Sequence, residues 1–458
     1  MPRGSQGRVR RRGGFAASGA VLAAIASIAA VAPASASAPP GSTPDRTVTA
    51  PVVASGVPAS TAGSLPRSGL RRELRSAIRS VGGQSGAWVF DTGAASKPLL
   101  FARNARNRRI PASNQKLFTT AAILDRFGPD HRFETRVYAR GKRTGAQRQV
   151  LDGNLVIRGD GDPVLGTGSF AHRNGLPLTR IGILAVAVKE AGIRRVTGEV
   201  KADDSVFDRR RGIPSTGFRA GPYLSPLSGL SFNSGYRSGG GYAAAPELEA
   251  ARALRRALRS QGVRVRGGVR RTALPRKVLD RAPVGSVASP PLSALAAATN
   301  KPSNNFFAEM LLKRLAAGPK RKGTTKAGAR RVQRFAARVG TKVKASDGSG
   351  LGRGNRASPR QVGRLLRAVN RSDHRVAFRQ SLAIAGRDGT LAGRMRGSAA
   401  EGSCRGKTGT LSGVSALSGY CTVDGDRIVF SILMNGVDAT RARAAQDRMA
   451  IAIARYRR

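Results

Sequence analysis

Both ends of the folding part of this chain read as helix and strand in close alternation, and a long stretch of different texture separates them. Leu70, Leu74 and Ile78 recur every four residues and predict an amphipathic helix over 70–81. Ala87-Trp88-Val89-Phe90 predicts a strand closed by Asp91-Thr92-Gly93, and a second strand follows at Leu99–Ala102. Leu117, Ala121 and Leu124 share one face of a helix over 114–127. The far end gives strands at 404–411, 415–423 and 427–435, then a helix at 438–456. Between them, over 133–285, short apolar runs alternate with glycine turns, which predicts a mostly β module. Helix returns at 291–316, 327–339, 358–369 and 376–384. These patterns define one α/β domain assembled from both ends of the chain and carrying an insertion.

The first 38 residues read as an export signal. Arg8, Arg10, Arg11 and Arg12 precede an Ala-rich apolar run, and Ala34-Ser35-Ala36 and Ala36-Ser37-Ala38 suit a signal peptidase. The run is short and weakly apolar, so no stable membrane span is expected after cleavage. Residues 39–66, rich in Pro, Ser, Thr and Ala, read as a tether. The domain division is then 67–132, an inserted 133–285, and 286–458. The chain carries 80 Lys and Arg against 26 Asp and Glu, a formal charge of +54. That charge attracts polyanions. Aromatic residues are only 5% and no nucleic-acid signature is present, which argues against nucleic acid and for anionic wall polymers. Three scattered histidines and two cysteines give no metal spacing, and no cofactor is implied.

Three short motifs carry chemistry. Ser113-Asn114-Gln115-Lys116 places a hydroxyl and an amine three residues apart, on one face if a helix starts there. A helix N-terminus favours the negative charge that a nucleophilic serine develops, and Lys116 could take the proton once burial lowers its affinity for it. Ser303-Asn304-Asn305 opens a helical run; its bland reading is a serine cap. A rival Ser231-Phe232-Asn233 lies among glycines and reads as loop. Lys407-Thr408-Gly409-Thr410 lies in a strand beside a hairpin. Its lysine and threonine hydroxyls suit a carboxylate, and its glycine lets a substrate backbone approach. The stretch Gly402–Thr408 also approaches a phosphate loop. It is one residue short between the glycines, and strand rather than helix should follow.

In this order the three motifs resemble the Ser-x-x-Lys, Ser-x-Asn and Lys-Thr-Gly set of penicillin-binding enzymes. The stretches Pro111–Leu117, Gly159–Pro163, Lys301–Asn305, Asp347–Leu351 and Gly406–Leu411 are similar to those of the D-Ala-D-Ala carboxypeptidases/endopeptidases of low-molecular-mass class C. The resemblance covers residues 70–456. Ser113 and Ser303 lie 190 positions apart, a separation that needs an inserted domain. The resemblance implies an antiparallel sheet with helices on both faces, interrupted by a β-rich insertion. It implies that Ser113 attacks the penultimate D-Ala carbonyl with Lys116 as general base, and that Ser303 and Asn305 relay protons and position the substrate amide. Lys407 would help hold the proton network and, with Thr408 and Thr410, the terminal carboxylate, Gly409 would give the substrate backbone room, and the backbone N–H groups of Ser113 and Thr410 would form the oxyanion hole. Peptidoglycan stem peptides are the implied substrates and β-lactams the implied covalent inhibitors. A β-lactamase-like hydrolase and a non-catalytic wall-binding protein remain as alternatives.

Cys404 and Cys421 flank Ser412-Gly413 symmetrically, so a hairpin turning there sets them opposite one another. In an exported chain they would form a lasting disulfide, with two buried thiols as the other reading.

Overall fold

The computed structural model describes residues 63–458, Ser238 excepted; the expected signal (1–38) and most of the tether (39–66) lie outside these residues. The chain joins the fold at Leu65, whose N–H donates to the Arg455 carbonyl and whose carbonyl accepts from the Arg457 N–H. The tether's last residues thus belong to the folded body. The first helix, Arg67–Arg79, buries Leu70, Leu74 and Ile78.

Six antiparallel strands form the main sheet in the spatial order Ala383–Ile384, Cys404–Leu411, Val414–Val423, Asp426–Asn435, Gln84–Asp91 and Leu99–Arg103. The N-terminal strands therefore pair with the last strand of the C-terminal segment, and the sheet exists only when both ends meet. Side chains alternate across it. Ala87, Val89, Leu417, Phe430 and Ile432 face a layer made by Arg67–Arg79 and the last helix, Ala439–Arg455. Trp88, Phe90, Ala416, Tyr420 and Leu433 face the other way, into a core centred on the helices Gln115–Phe127 and Asn305–Ala316. Phe118 and Phe307 are fully buried in that core, and truncating either to Ala should cost about 3–5 kcal/mol. Helices on both faces of an antiparallel sheet are the expected architecture.

The second sheet follows the order Val269–Arg271, Val200–Asp203, Val150–Arg158, Glu134–Thr144 and Gly285–Ala288, with parallel and antiparallel pairs. It is less purely β than the glycine-punctuated sequence suggests. The helices Gly182–Glu190 and Pro246–Ser260 bury Leu184, Val188, Ala250, Leu254 and Leu258 against it. The run expected as helix over 291–316 is broken into Leu292–Asn300 and Asn305–Ala316 by a turn at Lys301–Asn304. The phosphate-loop reading of Gly402–Thr408 fails, because most of that stretch is itself part of the strand Cys404–Leu411 and no helix follows it.

Candidate active site

Ser113 sits in a single 3-10 turn, Ala112–Asn114, that runs into the helix Gln115–Phe127. Ala112 holds a left-handed φ of 46°, which a non-glycine residue adopts only when its surroundings impose it. Two glycines do so. A Cβ on Gly350, itself at φ 84°, would lie 1.9 Å from the Ala112 carbonyl oxygen; one on Gly409 would lie 3.0 Å from the Ser113 nitrogen. The Asp347–Leu351 loop and the Cys404–Leu411 strand thus press on the Ser113 turn from two sides. Asn114 Nδ2 donates to the Lys407 carbonyl at 2.8 Å and ties the turn to that strand.

Lys116 follows one helical turn on and is fully buried. Its Nζ lies 3.0 Å from Ser113 Oγ, 2.7 Å from Asn305 Oδ1 and 2.7 Å from the Ser349 carbonyl oxygen. Asn305 Nδ2 donates to the Tyr223 carbonyl at 2.9 Å, which fixes the amide with its oxygen toward Lys116. Burial lowers the Lys116 pKa to about 7 against the partly restoring carboxylates of Asp347 and Glu309. A neutral amine has two N–H donors and one lone pair. The Asn305 and Ser349 oxygens can only accept, so they take both donors and leave the lone pair facing the Ser113 hydroxyl.

Lys407 is also fully buried and donates to the Thr408 carbonyl at 2.9 Å. Burial, then the nearby Lys116 charge, push its pKa well below the usual lysine range. The Thr408 and Thr390 hydroxyls bond at 2.8 Å. The Thr390 N–H donates to the Lys301 carbonyl at 2.9 Å, so this turn joins the Lys407 strand to the segment holding Ser303. Thr410 is exposed and its hydroxyl accepts from Arg443 at 3.4 Å. Ser303 is partly exposed at φ 63°. It does not cap the following helix: Asn304 does, accepting from the Phe307 N–H at 3.0 Å. Ser303 is therefore spared the capping role that its position suggested. The rival Ser231 is buried, while Asn233 Oδ1 accepts from the Thr167 N–H at 2.9 Å, a structural link within the inserted region.

Sequence reasoning missed the support beneath Lys116. Glu309 Oε1 accepts from the Gly348 and Ser349 N–H groups at 2.9 and 2.7 Å, which aims the Ser349 carbonyl at Lys116. Glu309 is fully buried, and desolvation plus the neighbouring Asp347 push its pKa up to about 7. Asp347 accepts from the Gly350 and Gly352 N–H groups at 2.8 and 2.7 Å. Arg443 was missed as well. The spacing from Phe306 to Glu309 could have signalled an acid one turn into the helix; the Ser349 and Tyr223 carbonyls leave no trace in a sequence.

Cys404 and Cys421 face each other in register across the hairpin and are joined by a disulfide.

A serine hydroxyl against the lone pair of a dry lysine, with a second dry lysine on an adjoining strand, defines a serine acyl-transfer enzyme. Comparison with known proteins narrows the class. The chain belongs to the D-Ala-D-Ala carboxypeptidase 3 (S13) family, matched over residues 76–239 and 241–456, and is a serine-type D-Ala-D-Ala carboxypeptidase. It is 30% identical to a D-alanyl-D-alanine carboxypeptidase of Actinomadura sp. (strain R39), covering 82% of each chain. It is 29% identical to carboxypeptidase DacB of Mycolicibacterium smegmatis, over 79% of this chain and 77% of that one. The crystal structure of penicillin binding protein 4 (dacB) from Haemophilus influenzae has the same fold, with a TM-score of 0.68 at 21% identity over 82% of this chain and 97% of that one.

Proposed function

We propose that this protein hydrolyses D-Ala-D-Ala ends or D-Ala cross-links of peptidoglycan stem peptides through an acyl-enzyme on Ser113, and that β-lactams acylate the same oxygen. Ser113 Oγ attacks the penultimate D-Ala carbonyl while its proton passes to Lys116 Nζ. The oxyanion forms toward the Ser113 and Thr410 N–H groups, which cost no reorganisation when charge develops. The C–N bond then breaks. The departing amine receives a proton from Lys116 by way of the Ser303 hydroxyl, leaving the acyl ester on Ser113. Water adds to that ester, Ser113 leaves with a proton, and the serine is restored. Asn305 positions both Lys116 and the substrate amide. Lys407, Thr408 and Thr410 take the terminal carboxylate, with Gly409 giving the substrate backbone room, and Arg443 adds a cation beside that seat. A carboxylate arriving there would draw Lys407 back toward its ammonium form.

The observation that carries this reading is the 3.0 Å approach of a buried Lys116, its pKa near 7, to Ser113 Oγ. The reading places the enzyme outside the cytoplasmic membrane, where stem peptides are, after loss of residues 1–38. Among the described residues no helix is long and apolar enough to cross a membrane. The domain reading that goes with it treats 133–285 as an insertion whose loops, Tyr223 among them, complete the site. Digesting purified peptidoglycan fragments with the mature protein, and weighing the products, tests the activity. Release of free D-Ala, or of split cross-links, in a Ser113-dependent manner is the expected result. Rapid turnover of penicillin with no peptide product would favour a β-lactamase, and failure of fluorescent penicillin to label the protein would favour a wall-binding role.

A further inference from the structure

A cavity of about 940 Å³ opens between the second sheet and the far end of the helix Asn305–Ala316, away from Ser113. Eight of its lining residues are Lys or Arg and three are carboxylates, and the pairing of these charges is uneven. Glu134 is bound to Arg136, and Asp160 to Arg314. Arg158 is held by Asp203 from outside the lining. That leaves Arg132, Arg276, Lys320, Arg321 and Lys322 with no carboxylate partner among the described residues, against one unmatched acid, Asp280. Arg276 and residues 320–322 are exposed. Arg314 is pinned at the cavity wall, its guanidinium 5.0 Å from the Phe127 ring and 5.4 Å from the Phe133 ring. The helix end that would repel an anion is covered: Arg126 Nη1 donates to the Leu315 carbonyl at 2.6 Å. The crowding is felt within the protein, since burial, then Arg331, Arg314 and Arg321, lower the Arg126 pKa.

The chain is basic throughout, so positive charge alone would say little. The contrast within the molecule says more. The cavity of about 310 Å³ beside Asn305 is lined by Phe170, Tyr223 and Tyr236 among others, and has no charged residue at all. Charge is thus unevenly spread among the concave sites: a smaller cavity of about 200 Å³ also carries three arginines, Arg379, Arg405 and Arg427, but the larger one gathers eight cations.

We propose that the basic cavity binds an anionic polymer of the cell wall through repeated oxyanions, phosphodiester or carboxylate, on a flexible chain. Arginine forks suit both groups. A carbohydrate or polyol backbone needs no aromatic stacking platform of the kind nucleic-acid sites use; the rings lining this cavity are His131 and Tyr138, and Tyr138 is buried. The position has a consequence. Asn305 and Arg314 lie on one helix, nine residues or ~14 Å apart along its axis, so a polymer held at Arg314 keeps the acylation site within reach of the wall.

The test is fluorescence anisotropy with the mature protein and two labelled probes, oligomeric poly(glycerol phosphate) and poly-γ-glutamate, at physiological salt. Arg276→Ala combined with Lys320→Ala, Arg321→Ala and Lys322→Ala removes four cavity cations. Arg72→Ala combined with Arg75→Ala, Arg79→Ala and Arg441→Ala removes four exposed cations elsewhere, at equal cost in net charge. The cavity variant should weaken binding by about 10-fold and the control by less than about 3-fold, in keeping with small contributions from single exposed charges. The probe with the larger loss identifies the oxyanion. Equal loss in both variants would reduce the effect to net charge and overturn the proposal, as would a cavity-dependent preference for duplex DNA of matched charge over both probes. No loss in the cavity variant would overturn it too, provided its melting temperature matches wild type. Ser113→Ala should bind both probes normally, which separates this proposal from the acyl-transfer reading.

Discussion

The Ser113 site and the basic cavity use the same kind of side chain in opposite ways. At the site, Lys116 and Lys407 have no exposed surface, and desolvation moves both toward the neutral amine. In the cavity, Lys320 and Lys322 are exposed to water. The first environment makes a base, and the second an anion receptor. In a chain of formal charge +54, what a lysine does is decided by its solvent and not by its identity. Each of the following experiments should either sharpen that contrast or remove it.

The largest effect belongs to the nucleophile. Ser113→Ala should abolish covalent labelling by fluorescent penicillin while leaving the melting temperature near that of wild type. Persistent labelling of a folded variant would move the acylated oxygen elsewhere. Next comes the base. Lys116→Arg keeps the positive charge but cannot give up a proton, so it should slow acylation at least ~10²-fold, as severely as Lys116→Ala. In wild type the acylation rate should rise with pH through about 7, as Lys116 loses its proton. The same lowered pKa has a stability cost. Between about 7 and the ordinary lysine value near 10.5 the unfolded chain binds this proton and the folded one does not. The Lys116 contribution to stability therefore grows as pH rises through that window. A limb of the rate profile near 10 would place the proton on a wet lysine and erase the contrast.

Replacing Cys404 and Cys421 together by Ser opens a loop spanning 17 residues and should destabilise the protein by ~3 kcal/mol in urea unfolding. Its effect on acylation reports whether the hairpin holds Lys407 in register. A smaller effect is expected at Glu309. An ionised Glu309 raises the Lys116 pKa, so Glu309→Gln should shift the rising limb of the rate profile to lower pH while still accepting the Gly348 and Ser349 N–H groups. Glu309→Ala cannot accept them and should lower the maximal acylation rate as well. An unmoved limb in Glu309→Gln would confine Glu309 to packing. The smallest effect is expected in the cavity. Lys320→Arg with Lys322→Arg preserves charge in water, and polymer affinity should stay within about 2-fold. A loss as large as that of Lys116→Arg would mean that the cavity reads lysine geometry and not charge.

Much of this was written in the chain. The main sheet was legible because Trp88 and Phe90 alternate with Ala87 and Val89, and the C-terminal strands alternate likewise. The opposition of Cys404 and Cys421 was legible because residues equidistant from a tight turn must face each other. The cap of the helix Asn305–Ala316 was not legible, since Asn304 and Ser303 are equally good caps on paper and only the packed turn chose Asn304. The helices Gly182–Glu190 and Pro246–Ser260 were missed, although Ala250, Leu254 and Leu258 recur every four residues, because the glycine-punctuated apolar runs around them read as strand.

By itself, the sequence determined which atoms are available for chemistry: a serine and a lysine one helical turn apart, a second lysine on a strand, and a pair of cysteines around a turn. These are local matters, set by the periods of helix and strand and by the symmetry of a hairpin. Only the tertiary structure decided what those atoms can do. A pKa depends on what surrounds a group on every side, and the surroundings of Lys116 come from Asn305, Glu309, Asp347 and Ser349, some 189 to 233 positions away along the chain. The same holds for the basic cavity, where cations from 132, 276 and 314–322 gather because the second sheet and the end of one helix meet there. Desolvation and charge crowding are properties of a volume, and a volume is fixed only once the chain has closed around it.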